Sequence, residues 1–141
     1  MSGAPAVAVA VTFVWLGMVL AISFLEAPLK FRAPGVTLPL GLGIGRLVFR
    51  ALNAVEIAFA AVIVAAVAAG PVPVGSAVAL CAAAAALAVQ LLAVRPALTR
   101  RSDQVLAGLD APRSRAHHFY VGWEVVKATA LVVAGISLLA G

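Results

Sequence analysis

Four long apolar runs, separated by short polar or basic stretches, dominate the sequence. They predict membrane spans at residues 6–25, 47–69, 74–94 and 116–140. Each run is long enough for one span, because a helix needs about 20 apolar residues to cross a bilayer. The connectors 26–46 and 95–115 are basic, whereas the turn between the second and third runs is uncharged. The pattern therefore predicts an all-α, polytopic four-helix bundle in which residues 1–141 form a single transmembrane domain.

Glycine and proline positions predict where these helices begin and end. We expect the second helix to begin near Gly45, since three prolines and four glycines interrupt the connector before it. The third helix should stop at Arg95-Pro96, because proline lacks an N–H and clashes with the preceding turn. A short surface helix should follow and break at Gly108. The last helix should start at Pro112, because proline is favourable in a first turn.

The last span opens with a polar stripe. Arg113, His117, Tyr120, Glu124 and Lys127 are spaced 4, 3, 4 and 3 residues apart. At 100° per residue they fall on one narrow face of a helix. Ionisable groups within a span are costly and usually face a bundle interior or a wet cavity. The stripe is therefore a candidate functional surface.

The second span has a matching stripe, spaced 4, 3 and 3, that consists of Arg46, Arg50, Asn53 and Glu56. Glu56 and Lys127 each lie fourteen residues before the outer end of their helix, Gly70 and Gly141. That distance is about 21 Å at 1.5 Å per residue, so the two side chains should lie at the same depth and meet. Glu26 of the first span should reach the lower part of this cluster. Gln90 is the nearest polar residue of the third span.

Composition and charge agree with a membrane protein. The chain is 65% hydrophobic and 11% charged, whereas soluble domains are about 45–50% apolar and about 25% charged. Nine of its ten Lys and Arg residues lie in or beside the two long connectors. The positive-inside rule then predicts cytoplasmic connectors and both termini outside, in a multi-pass cell-membrane protein of the bacterial inner-membrane type. Since topology explains the +5 net charge, we expect no nucleic-acid partner.

The two stripes predict a polar pocket between the second and fourth helices, open to the cytoplasm and sealed on the outside by apolar residues. The candidate ligand-binding residues are Glu26, Arg46, Arg50, Asn53, Glu56, Arg113, His117, Tyr120, Glu124 and Lys127. Their basic members can hold an anionic group, and Glu56 or Glu124 can change protonation when a ligand binds. The leading hypothesis is binding or transport of a small polar, anionic or amphipathic ligand.

Other functions stay open. A membrane-embedded enzyme acting on a lipid or hydrophobic substrate could use Glu124, His117 or Glu56 in acid–base chemistry. An accessory subunit could use the stripe to contact another membrane protein, and Glu56 with Lys127 could be a purely structural ion pair. We predict no metal site, because His117 and Glu124 are about 10.5 Å apart along a helix. No cofactor motif is present, so the cofactor is unknown.

The two halves of the chain show signs of a parallel internal repeat. At an offset of 68 residues, Pro28 aligns with Pro96, Arg32 with Arg100, and Glu56 with Glu124. Each half also reads as helix, basic connector, helix. Four helices make a thin wall for transport, so we expect a homodimer. The small residues 81–86 offer a close-packing surface for a partner helix or a neighbouring copy.

Three short segments carry a resemblance to a known group of proteins. They are WLG at 15–17, EAPLKF at 26–31 and GRLVF at 45–49. In these segments the chain resembles small four-helix membrane proteins of unknown function, related to the eukaryotic transmembrane proteins linked to platinum-drug resistance. The resemblance implies a four-helix fold and a role in handling or exporting small molecules, and it assigns no catalytic residues.

Overall fold

A computed structural model describes residues 3–110 and 115–141, and these form four long helices. We label them α1 (Gly3–Lys30), α2 (Leu38–Ala69), α3 (Val74–Leu106) and α4 (Arg115–Ala140). Each is long and apolar enough to span a membrane, as expected for a multi-pass membrane protein. The all-α, four-helix prediction is confirmed, and each predicted span lies within one helix. The described residues contain no strand.

Helix α2 begins earlier than predicted, at Leu38 and not near Gly45. Thr37 caps it, because its Oγ1 accepts a hydrogen bond of 3.3 Å from the N–H of Leu40. Pro39 lies in the first turn, where its missing N–H costs nothing. The glycine-rich stretch is therefore helical, and the link from α1 to α2 is residues 31–37.

Helices α1 and α3 each contain a wide π-helical segment directly before a proline. The segments are Leu20–Glu26 and Gln90–Val94, and Pro28 and Pro96 each follow two residues after them. A proline inside a regular α-helix removes a hydrogen bond and clashes with an earlier carbonyl, and π-turns accommodate such interruptions. The prediction that the third helix stops at Arg95-Pro96 was therefore wrong, and α3 continues to Leu106.

The predicted break at Gly108 is confirmed. Gly108 has a φ of +84°, a left-handed conformation that favours glycine. Its N–H donates to the carbonyl of Val105 at 3.0 Å, and the N–H of Leu109 donates to Gln104 at 2.9 Å. This is the Schellman arrangement that ends many helices. The predicted start of the last helix at Pro112 lies outside the described residues.

The helices alternate in direction. Gly70 lies beside Ala4 and Gly141 beside Pro73, so both chain ends and the α2–α3 turn share one end of the bundle, the termini end. The opposite end, where α1 leads into α2, is the connector end. Helix α1 packs against α2 and α4, α3 packs closely along α4, and the last turns of α3 pack on α2. Among the described residues, α2 and α4 are not a closely packed pair and face each other across the bundle axis.

Candidate functional site

A buried group of charges lies on the bundle axis. The ammonium of Lys127 forms salt bridges with Glu56 of α2 and, at 2.6 Å, with Glu124 of its own helix. All three side chains are excluded from solvent, with exposed fractions of 1% or less. We call these three residues the charged centre. The predicted meeting of Glu56 and Lys127 is confirmed, because equal counts from the helix ends place them at the same level.

Helices α1 and α3 complete the charged centre with neutral hydrogen-bonding groups. From α1, the indole Nε1 of Trp15 donates to Glu56 Oε2 at 2.8 Å, and Ser23 Oγ donates to Glu124 Oε2 at 2.5 Å. From α3, Gln90 accepts from Lys127 Nζ at 2.9 Å. The Gln90 amide also donates to Glu124 Oε1 at 3.2 Å. The predicted contribution of Gln90 is therefore confirmed, and all four helices hold the centre.

One of the four carboxylate oxygens of the charged centre has no partner in the described part of the chain. Glu56 Oε1 is buried and has no hydrogen-bond partner among the described residues. Two carboxylates and one ammonium leave a net charge of −1 when all three groups are ionised. A buried charge without compensation is costly, so full ionisation of all three groups is unfavourable in free energy.

A second layer lies next to the charged centre on its connector side. It consists of Lys30, Phe49, Arg95 and Tyr120, and we call it the cation–aromatic layer. The guanidinium carbon of Arg95 lies 4.7 Å from the ring centre of Tyr120 and 5.1 Å from that of Phe49. The two rings meet edge to face at 5.7 Å, and Lys30 Nζ lies 6.0 Å from the Phe49 ring centre. Such distances are typical of cation–π contacts.

Four of the ten predicted site residues are buried at or next to this centre: Glu56, Tyr120, Glu124 and Lys127. Tyr120 joins the two layers, because its ring packs in the cation–aromatic layer while its backbone carbonyl accepts from Gln90 at 3.3 Å. One turn of helix separates it from Glu124. The stripe of α4 therefore points inward, as its spacing predicts.

Other predicted site residues lie apart from the charged centre. Glu26 pairs with Lys30 of its own helix at 3.4 Å, because both lie on the same side of α1 one turn apart. Arg46 pairs with Asp103 of α3, because α3 continues past Pro96 and brings that carboxylate alongside α2. Arg50 is exposed.

The last three predicted residues are Asn53, His117 and Arg113. Asn53 is half-buried. His117 is also half-buried, and its ring lies 5.7 Å from that of His118. Arg113 lies outside the described residues.

Five residues of the site were not predicted from the sequence. No role in the pocket was assigned to Trp15, Ser23, Lys30, Phe49 or Arg95. The available signal for Trp15 was its position in mid-span at about the depth of Glu56. A buried indole N–H normally finds a hydrogen-bond acceptor. Nothing in the local pattern distinguished Ser23 from other small residues.

Apolar side chains close the centre on the termini side. The packed residues there include Leu80, Leu131 and Ala134, which are almost fully buried. The space between Glu56 and Lys127 is filled by their own side chains. Two grooves of about 320 and about 560 Å³ lie between α3 and α4 and are lined by apolar residues such as Trp123 and Val126. A pocket between α2 and α4 therefore stays a prediction that requires the bundle to open.

Comparisons with protein-family models, with curated proteins and with solved structures found no match to this chain.

Proposed function

We propose that this protein binds and transports a small polar or amphipathic ligand, and that protonation of the charged centre is coupled to binding. The observation that carries the proposal is the pair of fully buried carboxylates, Glu56 and Glu124, that share the single ammonium of Lys127. A buried ion pair that only fixes helix register needs one carboxylate. The second carboxylate gives the centre a group that can take up a proton.

The cost of burial supports a switchable carboxylate. On insertion scales a central charge costs about 2.5–3.5 kcal/mol, and Lys127 compensates only one of the two carboxylates. Glu56 Oε1 has no partner among the described residues, so it can accept a proton without losing a hydrogen bond. Proton relays in transporters are built from intramembrane carboxylates of this kind.

The location and assembly belong to the same proposal. The basic connectors favour a cytoplasmic connector end in a membrane of the bacterial inner-membrane type, so the ligand would enter from the cytoplasm or the inner leaflet. The apolar packing on the termini side would then close the outer face. Two copies would enclose a transport path more completely than the four helices of one copy.

The internal repeat gains support from the helix geometry. Both π segments end two residues before a proline, at positions 26 and 94, which are 68 residues apart. Glu56 and Glu124, at the same offset, both bind Lys127. Transporters built from parallel repeats place their sites between the halves, where the charged centre would lie.

Native mass spectrometry of the gently extracted protein tests the proposal. We expect a stoichiometric small-molecule ligand whose retention depends on pH, and in Glu56→Gln that pH dependence should disappear. Asp110→Asn is the matched control, since Asp110 is an exposed carboxylate outside the helices. Its pH dependence should equal that of the wild type.

Each competing function has its own outcome in this experiment. A protein without ligand, whose stability depends on both Glu56 and Lys127, would make the centre a structural ion pair. A different protein chain at fixed stoichiometry would indicate an accessory subunit. Turnover of an added lipid, lost in Glu124→Gln, would indicate an enzyme.

A further inference from the structure

We propose that the cation–aromatic layer is a binding site for a phosphate-type oxyanion, carried either by a lipid headgroup or by a small soluble molecule. This inference rests on the proposed function, because it names the chemical class of the ligand. The residues that would bind the oxyanion are Arg95, Lys30 and Tyr120. Two of them, Arg95 and Lys30, belong to no stripe in the sequence.

Arg95 presents an unused pair of donors. Its Nε and Nη2 atoms are buried and have no hydrogen-bond partner among the described residues. These two N–H groups lie on the same edge of the planar guanidinium, which is the edge that binds two oxygens of one anion side by side. Contacts with the rings of Tyr120 and Phe49 hold the guanidinium in place. Since buried donors are normally paired, this edge is suited to bind an anionic acceptor.

Lys30 and Tyr120 add donors to the same layer. The Lys30 side chain is only 9% exposed, and it lies against the Phe49 ring that Arg95 also contacts. The Tyr120 hydroxyl is buried beside the Glu124 carboxylate, and it makes no well-aligned hydrogen bond within the described part of the chain. The arginine edge, the ammonium and the hydroxyl come from three different helices. The oxygens of a tetrahedral phosphate group point in several directions and can accept from all three, whereas the two oxygens of a carboxylate lie in one plane.

The charge of the layer also favours an anion. Lys30 and Arg95 carry two positive charges, and the nearby carboxylate is Glu26, which pairs with Lys30 at 3.4 Å. The layer is therefore +1, next to a charged centre of −1. The charged and titratable groups facing this region come from all four helices: Glu26 and Lys30 of α1, Glu56 of α2, Arg95 of α3, and Tyr120, Glu124 and Lys127 of α4.

This charge balance couples the oxyanion to a proton. An oxyanion bound to Arg95 neutralises the cation that balances the centre, which leaves one carboxylate of Glu56 and Glu124 uncompensated. Uptake of one proton by that pair restores neutrality in the interior. Proton uptake therefore accompanies oxyanion binding. The affinity for the oxyanion should rise as the pH falls.

The test uses protein in dodecyl maltoside micelles, which contain no phosphate, and two probes. Inorganic phosphate is titrated at constant ionic strength, with chloride as the balancing anion, while thermal unfolding is recorded. Micelles that also contain phosphatidylglycerol are analysed by native mass spectrometry. We expect stabilisation by phosphate if the source is a soluble anion, and one retained phosphatidylglycerol per protein chain if the source is a headgroup.

Arg95→Gln should weaken the binding that the wild type shows by about tenfold or more, because it removes the charge-assisted pair of hydrogen bonds. Arg95→Lys, which keeps the charge and loses the two-donor edge, should also bind more weakly. Arg100→Gln is the matched control, since Arg100 is exposed on the same helix. The site is refuted if Arg95→Gln and Arg100→Gln bind alike, or if neither probe binds the wild type in preference to chloride.

The pH dependence separates this inference from the proposed function. If Arg95→Gln loses oxyanion binding while Glu56→Gln and Glu124→Gln keep the wild-type pH dependence, the site stands and proton coupling fails. If binding depends on pH through Glu56 but is unaffected in Arg95→Gln, proton coupling stands and the oxyanion site fails.

Discussion

At the scale of single residues, Lys127 holds the interior together. Its ammonium contacts Glu56, Glu124 and Gln90, which come from three different helices. The side chain is fully buried, so its charge is compensated entirely by protein groups. Removal of one partner destabilises a protein more than replacement of the whole group by apolar residues. The reason is that the remaining charges stay buried without compensation.

Lys127→Ala should therefore destabilise the protein by about 3–5 kcal/mol, since two buried carboxylates lose the ammonium that both of them bind. Equilibrium unfolding in mixed micelles measures the change. Arg115→Ala is the control, because Arg115 is exposed on the same helix. Adding Glu56→Gln to Lys127→Ala should recover part of the loss by removing one uncompensated charge. Equal stability of the Lys127 and Arg115 variants would contradict this role for Lys127.

At the scale of helices, close packing of α1 on α4 depends on a small residue. A Cβ atom added at Gly135 would lie 2.6 Å from the ring of Phe13 on α1, which is well inside van der Waals contact. Gly122 of the same helix has no atom within 4 Å of the corresponding position. Small residues at such contacts allow membrane helices to approach closely.

Gly135→Ala should lower the free energy of unfolding by about 1–3 kcal/mol, the usual cost of overpacking. Gly122→Ala should be neutral or slightly stabilising, because alanine has the higher helix propensity. Unfolding of both variants under identical conditions measures the difference. In a Phe13→Ala background, Gly135→Ala should lose most of its penalty. A penalty unchanged in that background would mean that the Phe13 ring is not its source.

At the scale of the whole molecule, charge is concentrated at one end. Among the described residues, the positive residues of the connectors lie at the connector end, and the termini end is nearly uncharged. Many large apolar side chains on the outside of the bundle are exposed, among them Leu47, Val64, Leu92 and Ile136. Such a surface fits a lipid environment, in which apolar groups face outward.

Cysteine labelling of intact cells should show the connector end inside. In a Cys81→Ala background, Ala33→Cys and Asp110→Cys should react with a membrane-impermeant maleimide only after the membrane is opened. Pro71→Cys, at the termini end, should react without opening. All three positions are exposed in the structure. Labelling of 33 and 110 from opposite sides would contradict the four-span topology, and a complete reversal would contradict the orientation.

The amino-acid sequence by itself determined the properties that depend on local geometry. Helical rise and a rotation of 100° per residue were sufficient to predict four helices, an inward-facing stripe on α4 and the pairing of Glu56 with Lys127. The start of α2 at Leu38 and the passage of α3 through Pro96 depended on capping and π-turns, which local propensity describes poorly.

Only the tertiary structure decided which helices are neighbours and how each is rotated. The bonds from Trp15 and Ser23 to the two carboxylates, the Arg46–Asp103 pair and the position of Arg95 between two rings all join residues far apart in sequence. Periodicity fixes which residues share a face of one helix. It does not fix which other helix that face meets, because that depends on the packing of all four helices together.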